Sequence, residues 1–199
     1  RVASRIPDPG TGGVVRTVLD NGLTLLVKRE SSVPLVAMRG VWLGGLRYET
    51  RRTNGINNLL ANLLTRGTTD RTGEEIVSTV ESLAGSIGGF TGRNSLGLRL
   101  ETSSRHWKTS LGVLADCLQH PVFPEEELAR ERALALQEIS VRDDNPTGAV
   151  FRLFQQELFK KHPYRLNLLG EADSTGALTR EQLVRYFRRN HRVDGLTLS

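Results

Sequence analysis

Three residues at positions 58, 61 and 62 have the spacing of a metal site on a helix. Asn58, Ala61 and Asn62 fall at i, i+3 and i+4 within the segment Asn54–Thr68. On an α-helix that spacing places the three side chains on one face. Two amide oxygens are neutral, weak metal donors, and an alanine methyl group cannot move a proton. The spacing therefore suits metal chemistry, but the residue types do not supply it.

The segment that carries these residues has the pattern of an amphipathic helix. Its apolar residues recur at offsets of three and four, which is the helical period. They are Ile56, Leu59, Leu60, Leu63 and Leu64. We expect Asn54 to cap the first turn with its side-chain oxygen. We expect Gly67 to end the helix in the left-handed conformation.

The stretch Gly55–Thr68 resembles the metal helix of the M16 family, which includes pitrilysin, insulysin and the mitochondrial processing peptidase. The family pattern is an inverted zinc motif, Gly-[Leu/Ile]-Ala-His-x-x-Glu-His-x-[Leu/Phe]-x-x-Gly-[Thr/Ser]. Its two histidines bind the metal and its glutamate acts as base on the bound water. Here Asn58 and Asn62 stand at the histidine positions and Ala61 stands at the base. The resemblance thus implies zinc in active members, and we expect no zinc here.

The helix predicted over Glu125–Val141 resembles the other half of the family motif. In M16 enzymes the third zinc ligand is a glutamate far beyond the second histidine, and Glu138 follows Asn62 by 76 positions. Glu131 lies two turns earlier on the same face, where family members carry a supporting glutamate. The resemblance therefore implies that both carboxylates face the surface of Asn58 and Asn62. Those amides are then the natural donors to the carboxylates, and an arginine can join them, because an unpaired buried charge is costly.

Other segments follow the family order. Leu19–Val27 matches the strand opening Leu-x-Asn-Gly-[Leu/Ile], and Gly44–Glu49 matches Gly-Ser-x-x-Glu. His162–Glu171 resembles His-Pro-Tyr-x-x-x-x-x-Gly. In the family an edge strand pairs with the substrate backbone, and the matching residues here are Gly88, Gly89, Phe90 and Thr91. From the residues alone, a plain hairpin with a bulge fits this segment as well as a binding strand does.

The remaining elements predict the fold class. Strands are predicted over Val14–Leu19, Leu23–Lys28, Leu35–Leu43, Ser86–Thr91, Ser95–Thr102 and Gly195–Ser199, and helices over Thr72–Ala84, Ser104–His120, Glu125–Val141, Thr147–Phe159 and Arg180–Asn190. Strands, helices, strands and helices in that order indicate an α+β fold. The resemblance implies a mixed or antiparallel sheet covered by helices on one face, as in an M16 metallopeptidase-like domain.

Length and composition fit a soluble globular domain. The chain has 199 residues, of which 38% are hydrophobic and 25% are charged. No apolar run approaches the roughly 20 residues of a membrane span, and the sequence, which opens at Arg1, contains no signal-peptide pattern. We predict one M16-type domain over residues 1–199, the N-terminal half of a longer two-domain subunit. The sequence does not indicate the cellular compartment.

Other metal and nucleophile chemistries find little support. Cys117 is the only cysteine, which excludes an internal disulfide and a cysteine-based zinc site. Its apolar neighbours favour a small buried hydrophobe. No second histidine stands three or four residues from any of the four that the chain contains: His106, His120, His162 and His191.

Three functions stay open at this stage. The first is a non-catalytic M16-type domain that binds a peptide, a catalytic M16 subunit or a second M16-type domain. The second is an active zinc endopeptidase with an unusual ligand set or a mutated motif. The third is a basic nucleic-acid or membrane-surface module, suggested by the net charge of +5 and by Arg185, Arg188, Arg189 and Arg192. Nucleic-acid binding is not expected, because the sequence contains no motif that places a helix in a nucleic-acid groove.

Overall fold

In a computed structural model of the chain, residues 2–7 and 13–199 are described, with side chains from residue 13 onward. The described residues form one sheet and seven α-helices. The strands are β1 (Val2–Pro7), β2 (Val14–Leu19), β3 (Thr24–Lys28), β4 (Leu35–Leu43), β5 (Ser86–Thr91), β6 (Ser95–Ser103) and β7 (Leu196–Leu198). The helices are α1 (Ile56–Leu63), α2 (Gly73–Ser82), α3 (Trp107–Gln119), α4 (Glu125–Asp143), α5 (Pro146–Leu158), α6 (Ala172–Ala177) and α7 (Arg180–Asn190).

The sheet is mixed, as predicted. Its strand order is β1-β2-β3-β7-β4-β6-β5. Only the β3–β7 pair among these neighbours is parallel, and the others are antiparallel. The C-terminal strand β7 lies between β3 and β4, where Thr197 is opposite Thr24 and Leu198 is opposite Gly40. Because β5 pairs with β6 alone, it forms one edge of the sheet.

One face of the sheet carries the core. Along β4, Met38 and Trp42 are 6% and 2% exposed, whereas Leu35 and Leu43 are 60% and 68% exposed. This alternation follows from the two-residue period of a strand. The inward residues of β6 are fully buried: Leu96, Leu98 and Leu100. The buried face packs against α1 and α3, which confirms the α+β class with helices on one side.

Most of the local signals are confirmed. The Asp20–Gly22 turn joins β2 to β3, with Gly22 at φ +86° and the Gly22 N–H donating to the Leu19 carbonyl at 2.9 Å. A capping box opens α2, since the Thr72 hydroxyl accepts from the Glu75 N–H and the Glu75 carboxylate accepts from the Thr72 N–H. β1 and α6 lie outside the predicted elements. α6 has six residues and contains Gly176, a weak helix former.

Both ends predicted for α1 are wrong. The N-cap is Gly55, at φ +95°, and not Asn54. The helix ends after Leu63, and Leu64 remains right-handed, so Gly67 does not terminate it. Gly67 instead adopts φ +154° in the following loop, against Pro124. The physical reason at the N-terminus is a buried carboxylate that caps the helix in place of the Asn54 side chain.

His191, directly after α7, is a buried histidine held by aromatic rings. It is 6% exposed, and its ring stacks on Phe187 and meets Trp42 edge-on, each with centroids 5.3 Å apart. Within the described ranges, neither ring nitrogen has a hydrogen-bond partner. Burial lowers the pKa of His191 to about 4. The ring is therefore neutral at pH 7 and acts as part of the core.

This burial predicts a loss of stability in acid. The unfolded chain binds a proton at His191 near pH 6.5 and the folded chain only near pH 4, so the free energy of unfolding falls as pH decreases through that window. The full effect is on the order of 3 kcal/mol. Urea unfolding from pH 7 to pH 4 measures it. His191→Phe should flatten the dependence, whereas the exposed control His106→Gln should not, and equal slopes in all three proteins would contradict the assignment.

Candidate functional site

Helix α1 places the candidate site against the sheet edge. It contacts β5, β6, α4 and α7. Its apolar stripe is almost completely buried, as the sequence predicted, with no member more than 1% exposed: Ile56, Leu59, Leu60, Leu63 and Leu64. Because these five side chains fix the rotation of the helix about its axis, they also fix the direction of the residues between them.

The Glu49 carboxylate caps α1. It is 4% exposed, and its Oε2 accepts from the Gly55 N–H at 2.9 Å and from Asn54 Nδ2 at 2.8 Å. Its Oε1 accepts from the Asn57 N–H at 3.1 Å and from Asn57 Nδ2 at 2.8 Å. An anion at a helix N-terminus is favourable, because the first N–H groups have no partner within the helix. Glu49 thus joins the preceding loop to the start of α1.

Asn57 connects this cap to the rest of the domain. Its Nδ2 lies 3.0 Å from the Gly45 carbonyl and 3.0 Å from the Tyr186 hydroxyl on α7. Burial raises the pKa of Tyr186 to about 12 and also raises the pKa of Glu49, while the N–H donors to Glu49 oppose the second shift. Sequence reasoning missed Asn57 and the role of Glu49. The available signal was the place of Glu49 in the segment that resembles Gly-Ser-x-x-Glu, ahead of the predicted helix.

Asn167 and residues of α6 also contact the start of α1. Asn54 Nδ2 donates to the Asn167 carbonyl at 2.8 Å, and the Ser174 hydroxyl donates to the Asn54 carbonyl at 2.9 Å. At Gly55, a Cβ would lie 2.4 Å from the Thr175 hydroxyl oxygen. Only a residue without a side chain fits so close an approach. The segment that resembles His-Pro-Tyr therefore has a structural role, since its residue Asn167 and the helix α6 that follows it bond to Asn54 at the start of α1.

The three positions of the degenerate motif differ in exposure. Ala61 is 2% exposed, Asn58 is half-buried and Asn62 is exposed. Asn58 and Asn62 are one turn apart on α1, so they share the outward face that the sequence predicted. The side-chain amides of Asn58 and Asn62 therefore both reach the surface of the domain.

The segment predicted as a binding strand lies beside Ala61. Gly88, Gly89, Phe90 and Thr91 belong to the edge strand β5, which packs along α1. A Cβ on Gly89 would lie 1.7 Å from the Ala61 carbonyl oxygen, whereas one on Gly88 would meet nothing within 4 Å. Gly89 therefore permits direct contact between strand and helix backbones. Peptide binding along this strand stays a prediction.

Glu131 on α4 is buried and paired with Arg66. It is 3% exposed, and its Oε1 lies 2.9 Å from Arg66 Nε and 2.8 Å from Arg66 Nη2. Arg66 also lies 3.8 Å from Glu127 Oε2. Of the partners expected for this carboxylate, the arginine is the one observed. In the described part of the chain, no hydrogen bond joins Glu131 or Glu138 to the amides of Asn58 or Asn62.

Glu138 is exposed on α4, the helix that packs against α1. It is seven residues from Glu131, so the two side chains lie two turns apart along the helix. Its role as a family third-ligand position is untested by this structure and stays a prediction.

The residues present do not fit a zinc ion. Zinc sites in proteins use three or four Cys, His or carboxylate donors. The α1–α4 surface offers Glu138 and two neutral amides, and the Glu131 carboxylate is already neutralised by Arg66. Over residues 2–7 and 13–199, no group of three His, Cys, Asp or Glu residues is placed to hold a metal ion. The donor set is therefore too weak, and at Ala61 no base is present.

Other candidate groups lie away from α1. Arg185, Arg188 and Arg189 are exposed on α7, and Arg192 follows them. Cys117 is fully buried, and burial raises its pKa to about 12, so it is not a nucleophile near pH 7. Among the described helices, none is long and apolar enough to cross a membrane.

A family model described as Insulinase (Peptidase family M16) matches residues 28–172. The chain belongs to peptidase family M16. The match covers the helix α1, the edge strand β5 and the glutamates of α4. It confirms the family that the sequence motifs indicated.

Curated M16 relatives match nearly the whole chain. An uncharacterized zinc protease of Rickettsia felis is 30% identical over 181 residues, which are 91% of this chain and 44% of that protein. Mitochondrial cytochrome b-c1 complex subunit 1 of Bos taurus is 26% identical over 91% of this chain and 38% of its own length. The chain therefore spans less than half the length of the curated relatives that it matches.

A solved structure has the same fold. The protein from Pseudomonas fluorescens described as a peptidase M16 inactive domain superposes with a TM-score of 0.86 at 21% identity. The match covers 94% of this chain and 45% of that chain. This likeness establishes an M16 domain fold and, at that identity, no more.

Replacing the capping carboxylate should destabilise the domain. Glu49→Gln keeps the shape but turns an N–H₂ group toward backbone or amide donors, and each buried donor left unpaired costs about 1–3 kcal/mol. Denaturant unfolding measures the loss. Glu101→Gln on the exposed face of the sheet is the control and should change stability by less than about 0.5 kcal/mol. Equal stabilities of the two variants would show that Glu49 is not an ionised cap.

Adjacent glycines of β5 should respond differently to a methyl group. Gly89→Ala must push β5 away from the Ala61 carbonyl, and such overpacking costs about 1–3 kcal/mol. Gly88→Ala has open space and should change stability by less than about 0.5 kcal/mol. Thermal unfolding of the two variants and the parent compares them directly. A harmless Gly89→Ala would contradict the close packing of β5 on α1.

Proposed function

We propose that this chain is a non-catalytic M16 peptidase-like domain that acts by binding. The observation that carries the proposal is the set Asn58, Ala61 and Asn62 on a helix whose buried stripe and cap are intact. If the sequence of this helix were no longer constrained at all, its buried apolar residues would differ from the family pattern as well. The chain departs from the family pattern at the three positions where the family places its zinc ligands and base, and also at Asn57, which stands at the alanine of the pattern and bonds to the Glu49 cap.

The lost groups act together in an M16 enzyme. Two histidines and a glutamate hold the metal, and a second glutamate moves the proton of the bound water. An amide binds zinc weakly and an alanine cannot act as a base, so replacing all three removes both functions. The proposal therefore assigns Asn58, Ala61, Asn62 and Glu138 to a degenerate site, without catalysis and without bound zinc.

The comparisons support a binding role in an assembly. The bovine relative is a subunit of the cytochrome b-c1 complex by name, and the Pseudomonas fluorescens domain is described as inactive. We infer that this chain pairs with a catalytic M16 subunit or with a second M16-type domain. We also propose that residues 1–199 are the N-terminal half of a two-domain subunit, since the relatives are more than twice as long.

A peptide is the second proposed ligand of the domain. Strand β5 is a sheet edge, so it can add an extended peptide through backbone hydrogen bonds. Gly88, Gly89, Phe90 and Thr91 would form that binding edge. The glycines allow a close backbone approach, and the half-buried Phe90 can contact a peptide side chain.

Zinc content tests the proposal against the alternative of an active zinc endopeptidase. The protein is purified without chelator, equilibrated with excess zinc, desalted and analysed for metal. We expect far less than one zinc per chain, because the donor set is weak. Glu138→Gln and the exposed control Glu126→Gln should then match the parent. About one zinc per chain, lost in Glu138→Gln and kept in Glu126→Gln, would overturn the proposal.

A further inference from the structure

Two arginines face each other on the open side of the sheet. Arg39 on β4 and Arg99 on β6 are direct cross-strand neighbours, and both are exposed. They lie on the face away from the core, because Leu98 and Leu100 on either side of Arg99 are fully buried. Like charges directly opposite one another in a sheet are destabilising. Among the residues that the structure describes, no carboxylate forms an ion pair with either guanidinium group.

A glycine separates Arg99 from the edge of the sheet. Gly88 on β5 is the other cross-strand neighbour of Arg99, on the side away from Arg39. A Cβ at Gly88 would meet no atom within 4 Å, so at this point no side chain of β5 stands between Arg99 and the edge. In the described ranges, β5 has no further backbone partner along its outer side.

A peptide strand added to β5 comes within reach of Arg99. It would lie two strand spacings, about 10 Å, from β6. Long side chains on neighbouring strands can extend toward each other across the face of a sheet. Because Gly88 leaves the space between them open, a glutamate of the peptide can contact the Arg99 guanidinium group across the glycine.

The turn that follows β5 adds a second positive group. Arg93 is exposed two residues after Thr91, and its guanidinium carbon lies 5.5 Å from the centre of the Tyr164 ring, a cation–π contact. The Arg93 carbonyl accepts from the Arg47 N–H at 2.9 Å, so a further exposed arginine adjoins the turn. Glu49 lies two residues after Arg47, but its carboxylate is buried and bonded to the start of α1.

The one acidic residue of β6 lies toward the other end of β5. Glu101 is the cross-strand neighbour of Ser86, the first residue of β5. The edge is therefore positive from Gly88 to the turn and carries a negative charge on β6 only opposite Ser86. A peptide along this edge gains most from carboxylates at the end nearest the turn.

We propose that the peptide ligand of β5 is acidic, with carboxylates that contact Arg99 across Gly88 and Arg93 at the turn. This inference rests on the proposed function, whose peptide ligand it specifies. Guanidinium groups bind carboxylates through charge-assisted hydrogen bonds, and two parallel N–H donors give the contact its direction. A nucleic acid is also an anion, but it has no amide groups and so cannot pair with a sheet edge as a peptide does.

Three labelled peptides test this selection. They are about ten residues long, enough to span β5 and its turn, and they repeat Thr-Glu, Thr-Gln or Thr-Lys. In an extended peptide of this kind, every second side chain lies on the same face. Fluorescence anisotropy at low salt measures their binding to the full natural gene product. Arg99→Gln removes the charge, and Arg39→Gln on the next strand inward is the matched control. Circular dichroism and the melting temperature of each variant must match those of the parent.

We expect the Thr-Glu peptide to bind about tenfold more tightly than the Thr-Gln peptide, since hydrogen bonds between charged groups are the stronger ones. The Thr-Lys peptide should bind more weakly than both. Arg99→Gln should reduce the tenfold preference to about threefold, and Arg99→Gln with Arg93→Gln should remove it. Arg39→Gln should retain it. Gly88→Val fills the space beside Arg99, so it should reduce the preference as much as Arg99→Gln does.

The remaining outcomes contradict the inference. Equal binding of the Thr-Glu and Thr-Gln peptides, or tighter binding of Thr-Lys, would overturn the acidic selection and leave peptide binding by β5 in place. A preference for Thr-Glu that survives Gly88→Val, or the double variant at Arg99 and Arg93, would show that the acidic peptide binds elsewhere. An oligothymidylate bound more tightly than Thr-Glu, with the difference lost in Arg99→Gln, would show a nucleic-acid site instead.

The test is separate from that of the proposed function. Failure of all three peptides to bind would overturn this inference together with the peptide-binding part of the proposal, while the zinc content decides the non-catalytic role independently. Stoichiometric zinc in a protein that selects the Thr-Glu peptide through Arg99 would overturn the non-catalytic role and keep the acidic selection.

Discussion

The structure depends on one buried carboxylate. Glu49 accepts four N–H bonds at the start of α1 and so fixes the helix against the loop that precedes it, and Asn57 links this cap to Tyr186 on α7. A carboxylate at 4% exposure is costly unless its oxygens are satisfied. Here both carboxylate oxygens accept hydrogen bonds, and the helix dipole also stabilises the negative charge. Because α1 cannot rotate or slide, the outward direction of Asn58 and Asn62 follows from this cap and from the apolar stripe.

The fixed helix explains how a site can lose its chemistry and keep its shape. The metal ligands of the family are not part of the core, so their replacement by Asn58 and Asn62 leaves the buried stripe unchanged. The one carboxylate that remains buried on α4, Glu131, is neutralised by Arg66 at 2.8 Å. The backbone contact between Gly89 and Ala61 also survives without a metal. The proposed function therefore assigns this domain a binding role without the groups that react.

Local patterns in the sequence predicted most of the helices and strands. The features that depend on long-range contacts could not be predicted in this way. β4, β5 and α7 begin and end where the alternation and the caps indicate. The predicted N-cap of α1 was wrong because Glu49, five positions before Asn54, caps the helix through tertiary structure. The sequence indicates the amides of Asn58 and Asn62 as donors to Glu131, with an arginine able to join them, but the structure pairs Glu131 with Arg66, since no local rule decides between an amide and a guanidinium. The exposure of the apolar side of α5 could not be foreseen, because periodicity shows that a helix is amphipathic and not which side the domain covers.

Zinc titration of a repaired helix tests the central claim most directly, namely that α1 and α4 keep the M16 register. The triple variant Asn58→His, Ala61→Glu, Asn62→His restores the family motif, and the double variant that keeps Ala61 guards against a folding defect at this 2% exposed position. The account predicts about one zinc per chain in at least one of them, lost when Glu138→Gln is added, since two imidazoles and a carboxylate form a catalytic-type zinc site. If both variants fold and bind no more zinc than the parent, the claim is contradicted.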